Sequence, residues 1–207
     1  NKRSFFLKEF LNLIKISEKY KIDLETLKTS TSGALGQPQF LPSTFLKYGV
    51  DFDDDGVVNI WDSEADTLAS IANYLSKLGW NDEREWGFEV KIPRSIKCHL
   101  EGPDHSRTLL QWEKLGLVRV SGKPFPEKDK AQSYNLLFPS GTLGPIYLVS
   151  NNFYVLKRYN NSDLYALSVG FLADKLKYKN HIFYTEWQDT RKINKNDIIK
   201  LQKKLSK

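Results

Sequence analysis

The sequence predicts an α+β protein, mainly helical, with a small α+β insertion in its middle. Three observations carry that expectation. Apolar residues recur at helical spacing near both ends of the chain. From about residue 88 to 157 the texture shifts to short β-prone pieces separated by Ser-Gly and Gly-Pro turns. The 207 residues suffice for one sizeable domain, or one domain carrying an insertion.

Residues 5–20 read as an amphipathic helix with Phe6, Phe10, Leu13 and Ile14 in one stripe. Residues 29–36 are small and polar, hence a loop. Pro38 and Pro42 bracket Gln39-Phe40-Leu41 and predict a rigid turn into a short helix at 43–48. Ser63 is the expected N-cap of the next helix, with Glu64 and Asp66 in its first turn. Ala65, Leu68, Ala69, Ala72 and Leu75 form its expected apolar face, and Gly79 ends it.

Strands are expected at 88–92, 117–120, 146–149 and 153–156, with a short helix at 108–115. Residues 163–177 return to helix, with Leu164, Leu167, Phe171 and Leu172 inward. A linker-like stretch at 185–194 precedes a last amphipathic helix at 193–205, carrying Ile198, Leu201 and Leu205 on one face.

The acidic stretch 51–62 has metal-ligand spacing. In an EF-hand-like loop of twelve, oxygens come from positions 1, 3, 5, 7, 9 and 12, with glycine at 6 for the turn. Those positions hold Asp51, Asp53, Asp55, the Val57 carbonyl, Asn59 and Asp62, and Gly56 stands at 6. The crowded carboxylates repel one another unless a hard cation neutralises them, and Ca²⁺ suits that role. Position 12 is Asp62 where Glu is usual, a shorter reach for bidentate ligation. The loop immediately precedes a helix, so a structural Ca²⁺ there would clip the helix to the preceding segment.

Net charge is +6, with the basic excess strongest near the C-terminus. A positive surface suits nucleic acid or an acidic polymer. No zinc-finger spacing, aromatic RNA-binding motif or phosphate loop supports nucleic acid. No apolar run approaches the roughly 18 residues that span a bilayer, and no signal peptide opens the chain. The lone cysteine, Cys98, forms no internal disulfide and is expected to be a small buried or semi-buried residue without a chemical role. No methionine occurs, even at position 1, as expected of a processed chain or a fragment cut from something longer.

Two blocks flank these features. The first runs Gly33-Ala-Leu-Gly36-Gln-Pro-Gln39-Phe40-Leu-Pro42-Ser43, then the acidic loop, then Ala72-Asn73-Tyr74-Leu75 and Gly79-Trp80. The second runs Asn152-Phe153, then Arg158-Tyr159-Asn160-Asn161-Ser162, then Tyr165-Ala166. In that order they resemble the B-type membrane-bound lytic murein transglycosylases, glycoside hydrolase family 103, over about residues 5–178. Leu35 and Leu41 stand where that family prefers methionine, a volume-conserving change. Pro38 stands where a small or polar residue is common.

The resemblance implies a lysozyme-like core in residues 1–87 with the calcium loop, an insertion at 88–157, a return to a core helix at 158–180, and at 181–207 a linker leading into a helix similar to the opening of small peptidoglycan-binding domains. It implies peptidoglycan glycan strands as partner and a periplasmic, cell-envelope setting. It also implies a reaction in which one glutamic acid protonates the MurNAc-GlcNAc glycosidic oxygen and then, as base, drives the muramoyl C6 hydroxyl onto the anomeric carbon, giving a 1,6-anhydro product. A well-oriented internal hydroxyl outcompetes water because its effective concentration reaches about 10⁵ M or more. Ordinary glycosidases use two carboxylates instead.

In the family that acid heads a Glu-Ser/Thr-x-aromatic-Gly motif upstream of the first block. No such motif occurs here: Glu9, Glu18 and Glu25 lack the pattern, and Glu85-Trp86-Gly87 is downstream. The acid is expected on sequence preceding Asn1, a missing N-terminal segment that would then be a partner, or to be lost from this copy. The alternative to a transglycosylase domain is thus a non-catalytic peptidoglycan-binding module or pseudoenzyme. By motif position, Ser30 resembles the serine that supports the catalytic carboxyl, or is simply a loop serine. Gln39, Phe40, Tyr48, Tyr159, Asn160 and Tyr165 match sugar-binding positions. Phe40 reads equally as core, and Asn160 equally as a turn former. The two blocks are expected to share one cleft.

Overall fold

The computed structural model describes residues 2–25, 27–141, 143–178, 182–187 and 194–206. The chain divides into two compact units, Asn1–Trp80 and Asn81–Lys207.

The first unit contains helices α1 (Lys2–Tyr20), α2 (Pro42–Tyr48) and α3 (Glu64–Lys77). The face that α1 buries is not the expected stripe. Phe6 and Phe10 are about half exposed, whereas Glu9 and Ile16, two turns apart, are buried. The reason is polar. Helix α2 opens on Leu41-Pro42, which supplies no side-chain cap. Glu9 fills the gap: one carboxylate oxygen accepts the Ser43 N–H and the other the Ser43 hydroxyl, each at 2.8 Å. A carboxylate at a helix N-terminus satisfies an orphan donor and complements the dipole. That bond sets which side of α1 faces inward.

Helix α3 is capped as its sequence predicts, the Ser63 hydroxyl accepting the Asp66 N–H. Its buried face differs from the expected one. Leu68, Ala65 and Ala72 are exposed, and Asp66, Thr67 and Ser70 are buried. Each buried polar group is partnered. Ser70 accepts the Val50 N–H, the Thr67 hydroxyl donates to the Ile60 carbonyl, and Asp66 accepts two backbone N–H groups. The helix turns these groups inward because the adjoining loop supplies a backbone partner for each of them.

The second unit holds an antiparallel sheet of β1 (Gly87–Lys91), β2 (Arg107–Thr108), β3 (Val118–Arg119), β4 (Ser133–Leu137) and β5 (Tyr147–Val149), ordered β2-β4-β5-β1-β3. Helix α4 (Leu109–Lys114) starts on a capping box between Thr108 and Gln111. Its Trp112 is fully buried and donates its indole N–H to the Tyr134 carbonyl. Phe88, Val90, Leu136 and Leu148 point to one face and join Trp112, Leu117 and Tyr134 in the core. Strand β4, absent from the sequence reading, is buried along four successive residues. Its Ser133-Tyr-Asn-Leu-Leu contains no β-branched residue and a buried Asn135, which leaves it without a strong strand signal. Cys98, expected to be at least partly buried, is exposed.

Three helices follow: α5 (Asn151–Tyr159), α6 (Asp163–Lys177) and α7 (Lys195–Leu205). Helix α5 takes in 153–156, which its β-prone side chains marked as strand. Ser150 caps it by accepting the Asn152 N–H, and Phe153, Val155 and Leu156 are buried at helical spacing. Tertiary packing overrides the local propensity. Helix α6 has the expected bounds, but Leu164 and Leu172 are exposed; Ala166, Leu167, Gly170 and Asp174 are buried. That face is chosen by Trp86. Its ring lies on Gly170, and its indole N–H donates to Asp174 at 2.9 Å. Residue 193 and most of the expected linker lie outside the described residues.

A Cβ on Gly170 would stand 2.6 Å from the Trp86 ring. Gly170→Ala raises helix propensity, by about 1 kcal/mol in an open helix. Here it should instead lower the thermal midpoint, followed by circular dichroism. An unchanged or higher midpoint would refute the contact as the determinant of the α6 face.

Candidate functional site

The first signature block forms a tight double turn in the first unit. Leu35 and Phe40 exchange both backbone hydrogen bonds, at 2.7 and 3.1 Å, which closes the loop 36–39. Gly36 has φ +58, and a Cβ there would meet the Ile60 carbonyl at 2.5 Å, so this position admits only glycine. Gln37 ties the turn to the end of the acidic loop by N–H to the Ile60 carbonyl and amide to the Trp61 carbonyl.

Gln39 stands at φ +53, uncommon for a residue with a side chain, and it is exposed. Such backbone persists only where its surroundings enforce it. Its amide donates to the Gly36 carbonyl at 2.9 Å. The neighbouring Phe40 is buried and packs on Tyr74 at 5.5 Å, and Tyr48 meets Tyr74 edge-to-face at 5.0 Å. Of the residues offered for sugar contact in this unit, Gln39 is presented outward, Tyr48 is half-buried and Phe40 serves the core. The Ser30 hydroxyl accepts the Ser32 and Ala34 N–H groups and shapes the loop that leads into the block.

In the acidic loop, Asp51 accepts the Asp55 and Gly56 N–H groups, Asp55 accepts the Val57 N–H, and Asn59 accepts those of Trp61 and Asp62. Among the described residues, the carboxylates that converge within 4.8 Å of one another belong to Asp51, Asp53 and Asp66. Asp66 lies beyond the twelve-residue spacing and is almost wholly buried. Its two oxygens accept the Phe52 N–H at 2.9 Å and the Asn59 N–H at 2.8 Å, joining both limbs of the loop. Although exposed, the Asp53 carboxyl is pushed above the ordinary range, first by desolvation among its neighbours and then by the Asp55 and Asp66 charges. Three converging hard oxygens with mutual repulsion fit a Ca²⁺-sized cation.

The second signature block lies in the second unit. The fully buried Asn152 carboxamide donates to the Asn81 and Arg84 carbonyls and accepts the Asn81 N–H, anchoring α5 to the start of that unit. Tyr159 and Tyr165, on successive helices, stack at 6.4 Å with 16° between planes. Asn160 is exposed at the C-cap of α5, and its carbonyl accepts the Ser162 N–H in the turn into α6.

The chain matches the transglycosylase SLT domain over residues 1–174 and belongs to that family. It is 30% identical over 166 residues to the membrane-bound lytic murein transglycosylase B of Escherichia coli, covering 80% of this chain and 44% of that protein. The structure of SltB3 from Pseudomonas aeruginosa in complex with NAG-NAM-pentapeptide superposes with a TM-score of 0.88 at 37% identity, over 98% of this chain and 54% of that one. The Escherichia coli lytic transglycosylase Slt35 in complex with calcium gives 0.71 at 28% identity, over 85% and 54%. The fold is thus the lysozyme-like α+β fold of lytic transglycosylases, and the chain spans about half the length of these relatives. Among the described residues no helix is long and apolar enough to cross a membrane.

Three roles here escaped sequence reasoning: the bonds of Glu9 to Ser43, of Asp66 to Phe52 and Asn59, and of Asn152 to Asn81 and Arg84. Asp66 reads as an ordinary first-turn acid of α3, and only its burial reveals the second role. Asp66→Ala removes the acceptor of two part-buried N–H bonds and should destabilise the chain by about 1–3 kcal/mol. Asp62→Ala, at an exposed position, should change stability by less than about 0.5 kcal/mol. Urea unfolding without added metal compares the two; equal losses would remove Asp66 from its organising role.

Proposed function

We propose that this chain supplies the glycan-binding walls and the calcium clip of a peptidoglycan lytic transglycosylase in the bacterial cell envelope, with the general acid coming from outside these 207 residues. The observation that carries this reading is the Gly33–Ser43 turn. It holds an exposed Gln39 in a left-handed conformation, inside a family match that also takes in the second signature. A carboxamide held outward bonds sugar hydroxyl or acetamido groups, and tyrosine faces such as those of Tyr159 and Tyr165 pack on sugar rings. Asn160 offers a second exposed carboxamide and Tyr48 a further ring. Ser30 stands beside the block for a supporting bond to the acid. The relatives' complexes with peptidoglycan fragments and the likeness over both blocks support the assignment.

The reaction this implies is cleavage of the MurNAc-GlcNAc bond with a 1,6-anhydromuramoyl product. The acid that would drive it is not Glu9, because both its oxygens are taken by Ser43. The chain by itself should bind insoluble peptidoglycan and release no 1,6-anhydromuropeptides, read by cosedimentation and mass spectrometry. Gln39→Ala and Tyr165→Ala should each weaken cosedimentation without moving the melting temperature. Release of anhydro products by the isolated chain would overturn the placement of the acid. Failure to bind would overturn the glycan role.

We further propose a structural Ca²⁺ held by Asp51, Asp53 and Asp66, with the Asp55 carboxylate, the Val57 carbonyl, Asn59 and Asp62 completing the shell from the loop. A cation there cancels the repulsion felt by Asp53 and locks α3 to the segment before it. Binding to the native state alone stabilises it by RT ln(1 + [L]/Kd). Millimolar Ca²⁺ should therefore raise the melting temperature, and Asp53→Ala should abolish the rise. A melting curve indifferent to Ca²⁺ counts against the site.

A further inference from the structure

The second face of the sheet carries a cavity of about 560 Å³ to which none of the foregoing chemistry belongs. In the β1–β5 register Glu89 lies opposite Tyr147, so both side chains leave the sheet on the same side, away from the core residues Phe88 and Leu148. Both line the cavity. Tyr147 is only 4% exposed, yet its hydroxyl has no hydrogen-bond partner, and neither does the buried Oε1 of Glu89. The other Glu89 oxygen accepts the Tyr184 N–H at 3.1 Å. No ion pair to Glu89 occurs among the described residues. A buried carboxylate oxygen and a buried hydroxyl left without partners in one cavity are costly, and a ligand that satisfies both relieves the cost.

Two further acids, Glu85 and Asp174, line the same cavity. Asp174 accepts the Trp86 indole N–H, and Glu85 faces Tyr178 and Lys177 at 3.5 and 3.9 Å. The walls between them are aromatic: Trp86 and Tyr147, with Phe171 stacked face to face on Phe183 at 3.6 Å. Two cations, Arg119 and Lys123, line the cavity as well. Arg119 donates to the Pro124 carbonyl and sits over Phe88, and Lys123 is exposed. The three acids do not converge as a metal trio does; among the described residues only the Asp51 group does so. Spread carboxylates between aromatic faces match an elongated organic cation, because an ammonium is drawn both to the acids and to ring faces.

We propose that this cavity is a binding site for a primary alkylammonium group, its N–H groups donating to Glu89 Oε1 and the Tyr147 hydroxyl oxygen and its alkyl stem lying along the aromatic walls. The site uses no residue of the glycan reading and stands independently of it. The same chemistry could arrive on a peptide attached to a glycan or as a free diamine.

Calorimetric titration of the full chain with cadaverine, and with pentanediol as the uncharged counterpart, tests the proposal. Cadaverine should bind and pentanediol should not. Glu89→Gln should weaken cadaverine at least about tenfold, the effect of losing one charge-assisted bond, and Tyr147→Phe by a smaller factor. Tyr147→Phe removes an unpartnered hydroxyl, so it keeps the fold and decides the matter if Glu89→Gln does not fold. A muropeptide with a free side-chain amine, compared with its N-acetylated form, separates the sources. Loss on acetylation assigns the site to peptide amines, and binding of cadaverine alone assigns it to free diamines. Equal binding of cadaverine and pentanediol, absence of amine binding at millimolar concentration, or cadaverine affinity unchanged in the folded variants would overturn the proposal.

Discussion

The first unit depends on buried carboxylates answering backbone N–H groups. Asp66, nearly without solvent contact, holds the Phe52 and Asn59 N–H groups and so fixes the acidic loop to α3. Glu9 does the same between α1 and the start of α2. Burying an ionised carboxylate is unfavourable unless each oxygen is satisfied, and here each is. Everything the signature turn presents rests on these two clamps. Ser43, which Glu9 holds, closes the block that carries Gln39, and Ile60, which follows the limb held by Asp66, receives the Gln37 N–H.

In the second unit a carboxamide has the corresponding part. Asn152 engages Asn81 and Arg84 from the start of α5, while Ser150 accepts the Asn152 N–H and donates its hydroxyl to the Glu85 carbonyl. Together they bind the entry to the sheet to the helices that follow it. Trp86, between these anchors, selects through Gly170 and Asp174 which side of α6 turns inward. The same tryptophan then serves as a wall of the acidic, aromatic cavity. One residue thereby couples helix orientation to the lining of a site.

Burial in this unit also keeps Tyr134 and Tyr147 neutral, desolvation pushing both hydroxyls upward and nearby acids adding to it, Asp129 for Tyr134 and Glu89 for Tyr147. A hydroxyl that stays neutral remains available both to donate and to accept. That matters only where such a group lines a cavity, which Tyr147 does and Tyr134, within the core, does not.

The chain's own pattern determined the fold class, the bounds of α6, the Ser63 cap, the turn between Pro38 and Pro42 and the two signature blocks. These depend on neighbours in sequence: caps, turns and motif spacing act over a few residues. Tertiary structure decided which faces are buried. Phe6, Leu68, Leu164 and Leu172 sit at helical spacing and read as inward, yet Glu9, Asp66, Ser70 and Asp174 hold those interior faces because their partners are backbone or indole N–H groups from other segments. It also made residues 153–156 a helix in spite of their β-prone side chains, and gave β4 a place in the sheet that a segment without β-branched residues did not announce. Asp66 shows the limit most directly. Its neighbours in sequence make it one more acid in a first helical turn, and only the folded loop brings its two oxygens against Phe52 and Asn59 and beside Asp51 and Asp53.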